Sequence, residues 1–383
     1  MEDIILAPGR YKDLYKSVSL SEKIQGLHQM IQQDFPYIHR VAVALFDTKM
    51  NTLKTFVQSA KEDRPFQFYE CLMENAPSLM EIKTRKTNRV VNDMAVFNNG
   101  THEHTQKIAA NGYQASYSAP LFDETTFIGM LFFNAYQKNV FKTLDLAKLD
   151  LYAQLINSLV VNKLQATQML VGAFRSCLSL VSYKDPETGN HLERMARYTR
   201  LIARELAKQG HPGLTDETIE HLFMFAPLHD IGKIGIPDRI LRKPGRLDEE
   251  EWQIMQTHST KGREIIDTIA GYLGVATFDQ LSLLRNISGS HHETIDGKGY
   301  PNQLKKAEIP IETQIVSVAD IFDALTSHRS YKPAWSNEAA FKELMQLSGT
   351  KLNPDCVRVL IENSAAVKEI QNRFSDDLRD HGR

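Results

Sequence analysis

Imidazoles and carboxylates gather in the second half of this chain, where nine of its thirteen histidines lie at or after position 191. His229 and Asp230 stand side by side at the end of the apolar helical run 215–232, and His258 falls within the helical stretch 248–269. His291 and His292 are adjacent and precede an acidic, glycine-rich turn, 293-ETIDGKGYP-301. Asp320 lies in the apolar run 315-IVSVADIF-322, where an unpaired carboxylate would be costly. Glu187 and His191 are four residues apart at a helix start, hence on one face if the helix extends that far. A bound cation accounts for all of these groups together.

The number of donors constrains that cation. His191, His229, His258, His291, His292, Glu187, Asp230 and Asp320 are more than one six-coordinate ion can use while keeping a position for water, so two or three divalent metals are implied. Ligation by nitrogen and oxygen without thiolate disfavours a structural zinc site. The imidazoles disfavour magnesium and calcium, leaving iron, manganese, nickel or zinc. Metals a few ångström apart suit in-line attack of a hydroxide on a phosphodiester, whose charge they also neutralise.

The elements that must position these groups are legible from pattern. At 383 residues the chain suits two domains. Its 42% hydrophobic and 24% charged residues are those of a globular protein. Forty-five basic against 47 acidic residues leave a net charge of −2. No global field favours a nucleic-acid polymer or an anionic membrane, and an anionic ligand must be held by a local cluster. Cys71, Cys177 and Cys356 form no CxxC pair, which fits a reducing compartment. With no basic segment followed by an apolar core at the N-terminus and no run of 18 apolar residues, the expected location is cytoplasmic. Cys71 reads as a core thiol, and His102 and His104 as solvated loop histidines.

Residues 19–34 predict an amphipathic helix with a Ser/Glu capping box. The pairs 40–47 with 52–59 and 115–122 with 126–136 predict two antiparallel hairpins around a mixed middle segment. Together they make an α+β domain over 1–142. From 143 to 184 there is no proline and apolar residues recur at steps of three and four, which predicts one long linker helix able to pair with its twin in a homodimer. From 185 to 383 the chain reads as an all-α bundle, with helices at 190–209, 215–232, 248–269, 312–327 and 336–347.

The stretch 126–160, with its final strand, Asn-containing loop, Phe and Asp-led helix, resembles the close of a GAF domain, the resemblance covering about 15–160. It implies a sensory module whose ligand no residue names. In the second half, LHDIGKIGIPD, MQTHSTKG, HHETIDGKGYP and VADIFDALTSHRSYKP, in this order, resemble the HD-GYP family over about 175–365. That resemblance implies an HD-domain phosphohydrolase of cyclic di-GMP, giving pGpG and GMP, with a binuclear or trinuclear centre that often holds iron. It implies that Asp230 bridges metals; that His229, His258, His291, His292 and Asp320 are ligands; and that Glu187 and His191 serve a third ion. It implies further that Lys233 holds the phosphate, that Arg329 and Lys332 grip the dinucleotide, and that Asp323 and Tyr300 line the same region.

Three departures from the family pattern, Ser259, Thr294-Ile295 and 328-HRSY-331, bear on the choice between cyclic di-GMP and cyclic GMP-AMP. The competing reading of the same half is a non-hydrolysing adaptor that binds GGDEF-domain proteins.

Overall fold

The computed structural model describes residues 18–60, 66–97, 107–108, 110–182, 189–274, 280–327 and 334–375. It divides into two compact units, Met1–Thr167 and Gln168–Arg383. Among the described residues no helix is long and apolar enough to cross a membrane.

In the first unit, α1 (Leu20–Asp34) opens on the expected capping box. The Ser19 hydroxyl accepts from the Glu22 N–H, and the Glu22 carboxylate accepts from the Ser19 N–H at 2.9 Å. The chain continues through β1 (Arg40–Asp47), β2 (Thr52–Ala60), β3 (Glu70–Leu72), α2 (Pro77–Arg85), β4 (Arg89–Val91), β5 (Ala115–Asp123) and β6 (Thr126–Ala135). These strands form one sheet in the order β3-β2-β1-β6-β5-β4, and each neighbouring pair is antiparallel. Both expected hairpins are present; the two three-residue strands extend the sheet at its edges.

Strand alternation assigns the faces. Val41, Val43, Leu131 and Phe133 pack on one side with Ile24, Leu27 and Ile31 of α1, together with Leu149, Ala153 and Ile156. Ala44, Met130 and Phe132 face the other side with Leu79 and Ile82 of α2. Those last three residues of the first cluster belong to α3, a single helix of 40 residues, Thr143–Ser182. The long helix is therefore as expected, but the boundary between units falls within it and not at its ends.

The second unit is helical. It comprises the C-terminal part of α3, α4 (Gly189–Lys208), α5 (Asp216–Phe225), α6 (Asp238–Leu241), α7 (Glu249–Gln256), α8 (His258–Tyr272), α9 (Leu281–Ser290), α10 (Ile311–Thr326), α11 (Asn337–Leu347), α12 (Pro354–Glu362) and α13 (Ser364–Arg373).

Two expected helices are broken, and both breaks lie at the site. α5 stops at Phe225, followed by a 3-10 turn over Ala226–Leu228 and another over Ile231–Gly235; Pro227 has no N–H to continue the α pattern. The stretch 248–269 is two helices, because Thr257 tightens the last turn of α7: its N–H and its hydroxyl both bond to the Ile254 carbonyl, at 3.1 and 2.6 Å. His258 accordingly begins α8; it does not sit mid-helix.

Candidate metal centre

Four elements meet at Asp230. The turn after α5 supplies His229, Asp230 and Lys233; the start of α8 supplies His258; the end of α9 leads into His291 and His292; α10 supplies Asp320. One donor atom each from Asp230, His258, His291 and His292 lie within 4.8 Å of one another. Asp230 Oδ1 is 3.3 Å from His258 Nε2 and 3.5 Å from His291 Nε2, while Oδ2 is 3.2 Å from His229 Nε2. His229 Nε2 is also 3.8 Å from Asp320 Oδ1.

The far side of each ring shows what these nitrogens are prepared for. His229 Nδ1 donates to the Ala226 carbonyl at 3.0 Å, His258 Nδ1 to Met255 at 2.7 Å, and His291 Nδ1 to Ile287 at 3.0 Å. A carbonyl can only accept, so in the neutral ring each Nδ1 carries the hydrogen and each Nε2 presents its lone pair inward. His258 Nε2 and His291 Nε2 then face each other at 3.5 Å as two acceptors, an arrangement that repels unless a cation lies between them. Backbone-fixed imidazoles converging on one carboxylate are the arrangement of a metal centre, and this donor set fits the nitrogen- and oxygen-ligated divalent ions expected from the sequence.

Electrostatics reinforce that reading. Burial works against ionisation of Asp230, but Lys233, His229 and His291 overcome it and hold its carboxyl well below the usual carboxylate range. Burial, aided by the neighbouring His291, pushes His258 down to about 4. Burial and the same neighbour push His292 down as well. Neutral imidazoles beside an ionised carboxylate are what a divalent cation requires. Lys233 Nζ sits 2.8 Å from Asp230 Oδ2.

Backbone packing makes the arrangement possible. A Cβ on Gly232 would stand 1.8 Å from the His258 carbonyl oxygen, so only glycine lets the turn after Asp230 approach the start of α8. The Ser317 hydroxyl donates to the His291 carbonyl at 2.5 Å, tying that histidine to α10. In the loop after His292, the buried Glu293 accepts from the N–H groups of Asn302 at 2.6 Å and Leu304 at 2.9 Å. The loop so folded sets the Tyr300 ring 4.7 Å from His292. Burial and the nearby Asp230 and Asp320 raise the Tyr300 hydroxyl above its ordinary range, so it keeps its proton.

The structure brings together His229, Asp230, Lys233, His258, His291, His292, Tyr300 and Asp320. Glu187, Arg329 and Lys332 lie outside the described residues, as do His102 and His104. Asp323 does not line an open surface. It is fully buried, with Oδ2 accepting from His191 Nδ1 at 2.6 Å and Ser327 Oγ at 2.8 Å, and Oδ1 accepting from Arg194 Nε at 2.8 Å. Burial opposes its charge, yet His191 and Arg194 bring its carboxyl below the ordinary value.

Arg194 and Ser317 escaped the sequence reading, and Glu293 stood in the turn motif 293-ETIDGKGYP-301 without a role. Arg194 carried a signal of its own, three residues after His191 and so on its face of α4.

Residues 175–356, which lie within the second unit, match the family model described as HD domain. Over 195 residues the chain is 40% identical to the cyclic di-GMP phosphodiesterase response regulator RpfG of Xanthomonas campestris, covering 51% of this chain and 48% of that protein. Over 183 residues it is 39% identical to the 3′3′-cGAMP-specific phosphodiesterase 2 of Vibrio cholerae, covering 48% of this chain and 33% of that one. The chain thus spans half or less of the length of these curated relatives. A GAF domain/HD domain protein from Geobacter sulfurreducens, known from a crystal structure, is similar at 14% identity and a TM-score of 0.33, covering 39% of this chain and 96% of that one.

Proposed function

We propose that the chain is a metal-dependent phosphodiesterase that hydrolyses cyclic di-GMP to pGpG, GMP or both. The convergence of three Nε2 lone pairs on Asp230, each ring locked from behind by a carbonyl, carries this reading. When bound, two or three divalent ions, iron foremost, would supply charge neutralisation of the phosphodiester and a nucleophile at neutral pH. Asp230, His229, His258, His291, His292 and Asp320 would hold two of them, and His191 with Glu187 would hold a third.

The chain's own cations handle the substrate. Lys233, beside Asp230, gives a fixed positive charge for an incoming phosphate oxygen. The protonated Tyr300 hydroxyl donates at the same edge, and Arg329 and Lys332 grip the dinucleotide. The GAF-like domain, 1–142, regulates the catalytic domain, 185–383, through the linker helix, 143–184, which also pairs two chains; GGDEF-domain proteins are candidate partners.

Chromatography of products after anaerobic incubation with ferrous or manganous ion tests the reading. Cyclic di-GMP should yield pGpG or GMP faster than 3′3′-cGAMP is consumed. The reverse order would move the substrate to the mixed dinucleotide, and no product from either would refute the hydrolase.

A further inference from the structure

Trp252, on α7, is 44% exposed, and the chain has only one other tryptophan, Trp335. The helix that carries it is firmly built. Asp248 caps it by accepting from the Glu251 N–H at 2.9 Å, Glu251 accepts in return from the Asp248 N–H at 3.0 Å, and Lys243 pairs with Glu251. The indole is thus presented on a fixed element. Its ring partner is Tyr300, with centroids 6.3 Å apart at 80°. Tyr300 in turn lies 4.7 Å from His292 and 6.2 Å from His258.

An open indole therefore stands two ring contacts from the donor cluster, on the Tyr300 side. A large aromatic group left half in water forgoes the gain of burial, and a planar ligand arriving at the cluster would restore it.

We propose that Trp252 is the platform on which a purine base of the cyclic dinucleotide stacks while its phosphodiester meets the donor cluster. The assignment rests on the hydrolase reading above and deepens it by naming a residue that recognises the base. Every base has a π-face, so such stacking tolerates sequence. Trp252 therefore favours cyclic di-GMP and 3′3′-cGAMP equally, and discrimination between them resides elsewhere.

Steady-state kinetics of the manganese-loaded full chain test this with Trp252→Leu, which keeps apolar bulk but has no π-face, and Trp252→Phe, which keeps a smaller one. The leucine variant should raise KM roughly five- to 100-fold, by the same factor for both dinucleotides, with kcat little changed and much of the loss recovered by phenylalanine. Metal content and Tm should match the parent. In a Trp335→Phe background, emission from Trp252 should be quenched on mixing with dinucleotide, before turnover.

An unchanged KM in Trp252→Leu overturns the platform and leaves the hydrolase standing. So does equal loss in the leucine and phenylalanine variants, a loss of metal or Tm that accounts for the effect, or unquenched emission during turnover. Absence of turnover of both dinucleotides by the parent overturns both readings.

Discussion

His191 and Asp323 are joined across α4 and α10 by a 2.6 Å hydrogen bond from Nδ1 to Oδ2. One helical turn before Asp323, Asp320 comes within 3.8 Å of His229 Nε2. Helix α10 thus carries two carboxylates on successive turns, one toward the donor cluster and one holding a histidine from behind. The bond fixes the hydrogen of His191 on Nδ1, as the backbone carbonyls do for His229, His258 and His291.

Asp323→Asn should therefore loosen the centre without touching it. An amide cannot accept from His191, Ser327 and Arg194 through two carboxylate oxygens as Asp323 does. Metal affinity should fall about 10- to 100-fold, and Tm should drop because Arg194 loses a buried partner. Metal titration followed by scanning calorimetry checks this; affinity equal to the parent would show that His191 takes no part in metal binding.

Gly232→Ala tests the backbone approach. A methyl group cannot occupy a point 1.8 Å from the His258 carbonyl oxygen, so the start of α8 must move and carry His258 away from Asp230. Metal content should fall together with stability, by about 1–3 kcal/mol for an overpacked site. Denaturant titration and elemental analysis read both quantities. Alanine at Gly271, where nothing lies within 4 Å, should leave metal content intact.

The depressed histidines set a pH dependence in the metal-free protein. His258 titrates near 4 when folded, against 6.5 for an ordinary histidine. Between those values the unfolded state binds more protons, so stability falls as pH falls through the window. His292 shifts in the same direction and adds to the effect. Asp323 has the opposite dependence on charge; its contribution is present above 3.8 and is lost only as pH falls below that value. Tm of chelator-treated protein should decline from pH 6.5 toward 4, with a shallower decline in His258→Gln. A flat profile across that range would contradict the burial of these rings as neutral groups.

Much of this was legible in the sequence where local chemistry decides. Ser19 and Glu22 announce α1, the short β-branched run 40–47 announces β1, and adjacent His229 and Asp230 point to the donor cluster. What was not legible depends on contacts made elsewhere. The break at Thr257 is a local hydrogen bond whose purpose appears only when Gly232 packs against His258. The inward turn of Asp323 needs Arg194 and His191 from a helix more than a hundred residues away. The strands β3 and β4 are too short for any periodicity, and the helices α9, α12 and α13 lack the donors that drew attention elsewhere.

The most direct measurement is the rate of cyclic di-GMP hydrolysis as a function of added ferrous ion, for the parent and for Asp230→Asn. Asp230 is the group on which His229, His258 and His291 converge. The parent should show no product in chelator, regain turnover as metal is added, and retain metal through desalting. Asp230→Asn should lose both metal and product while remaining folded. Turnover in the parent that ignores chelator, or an asparagine variant as active as the parent, would contradict the account.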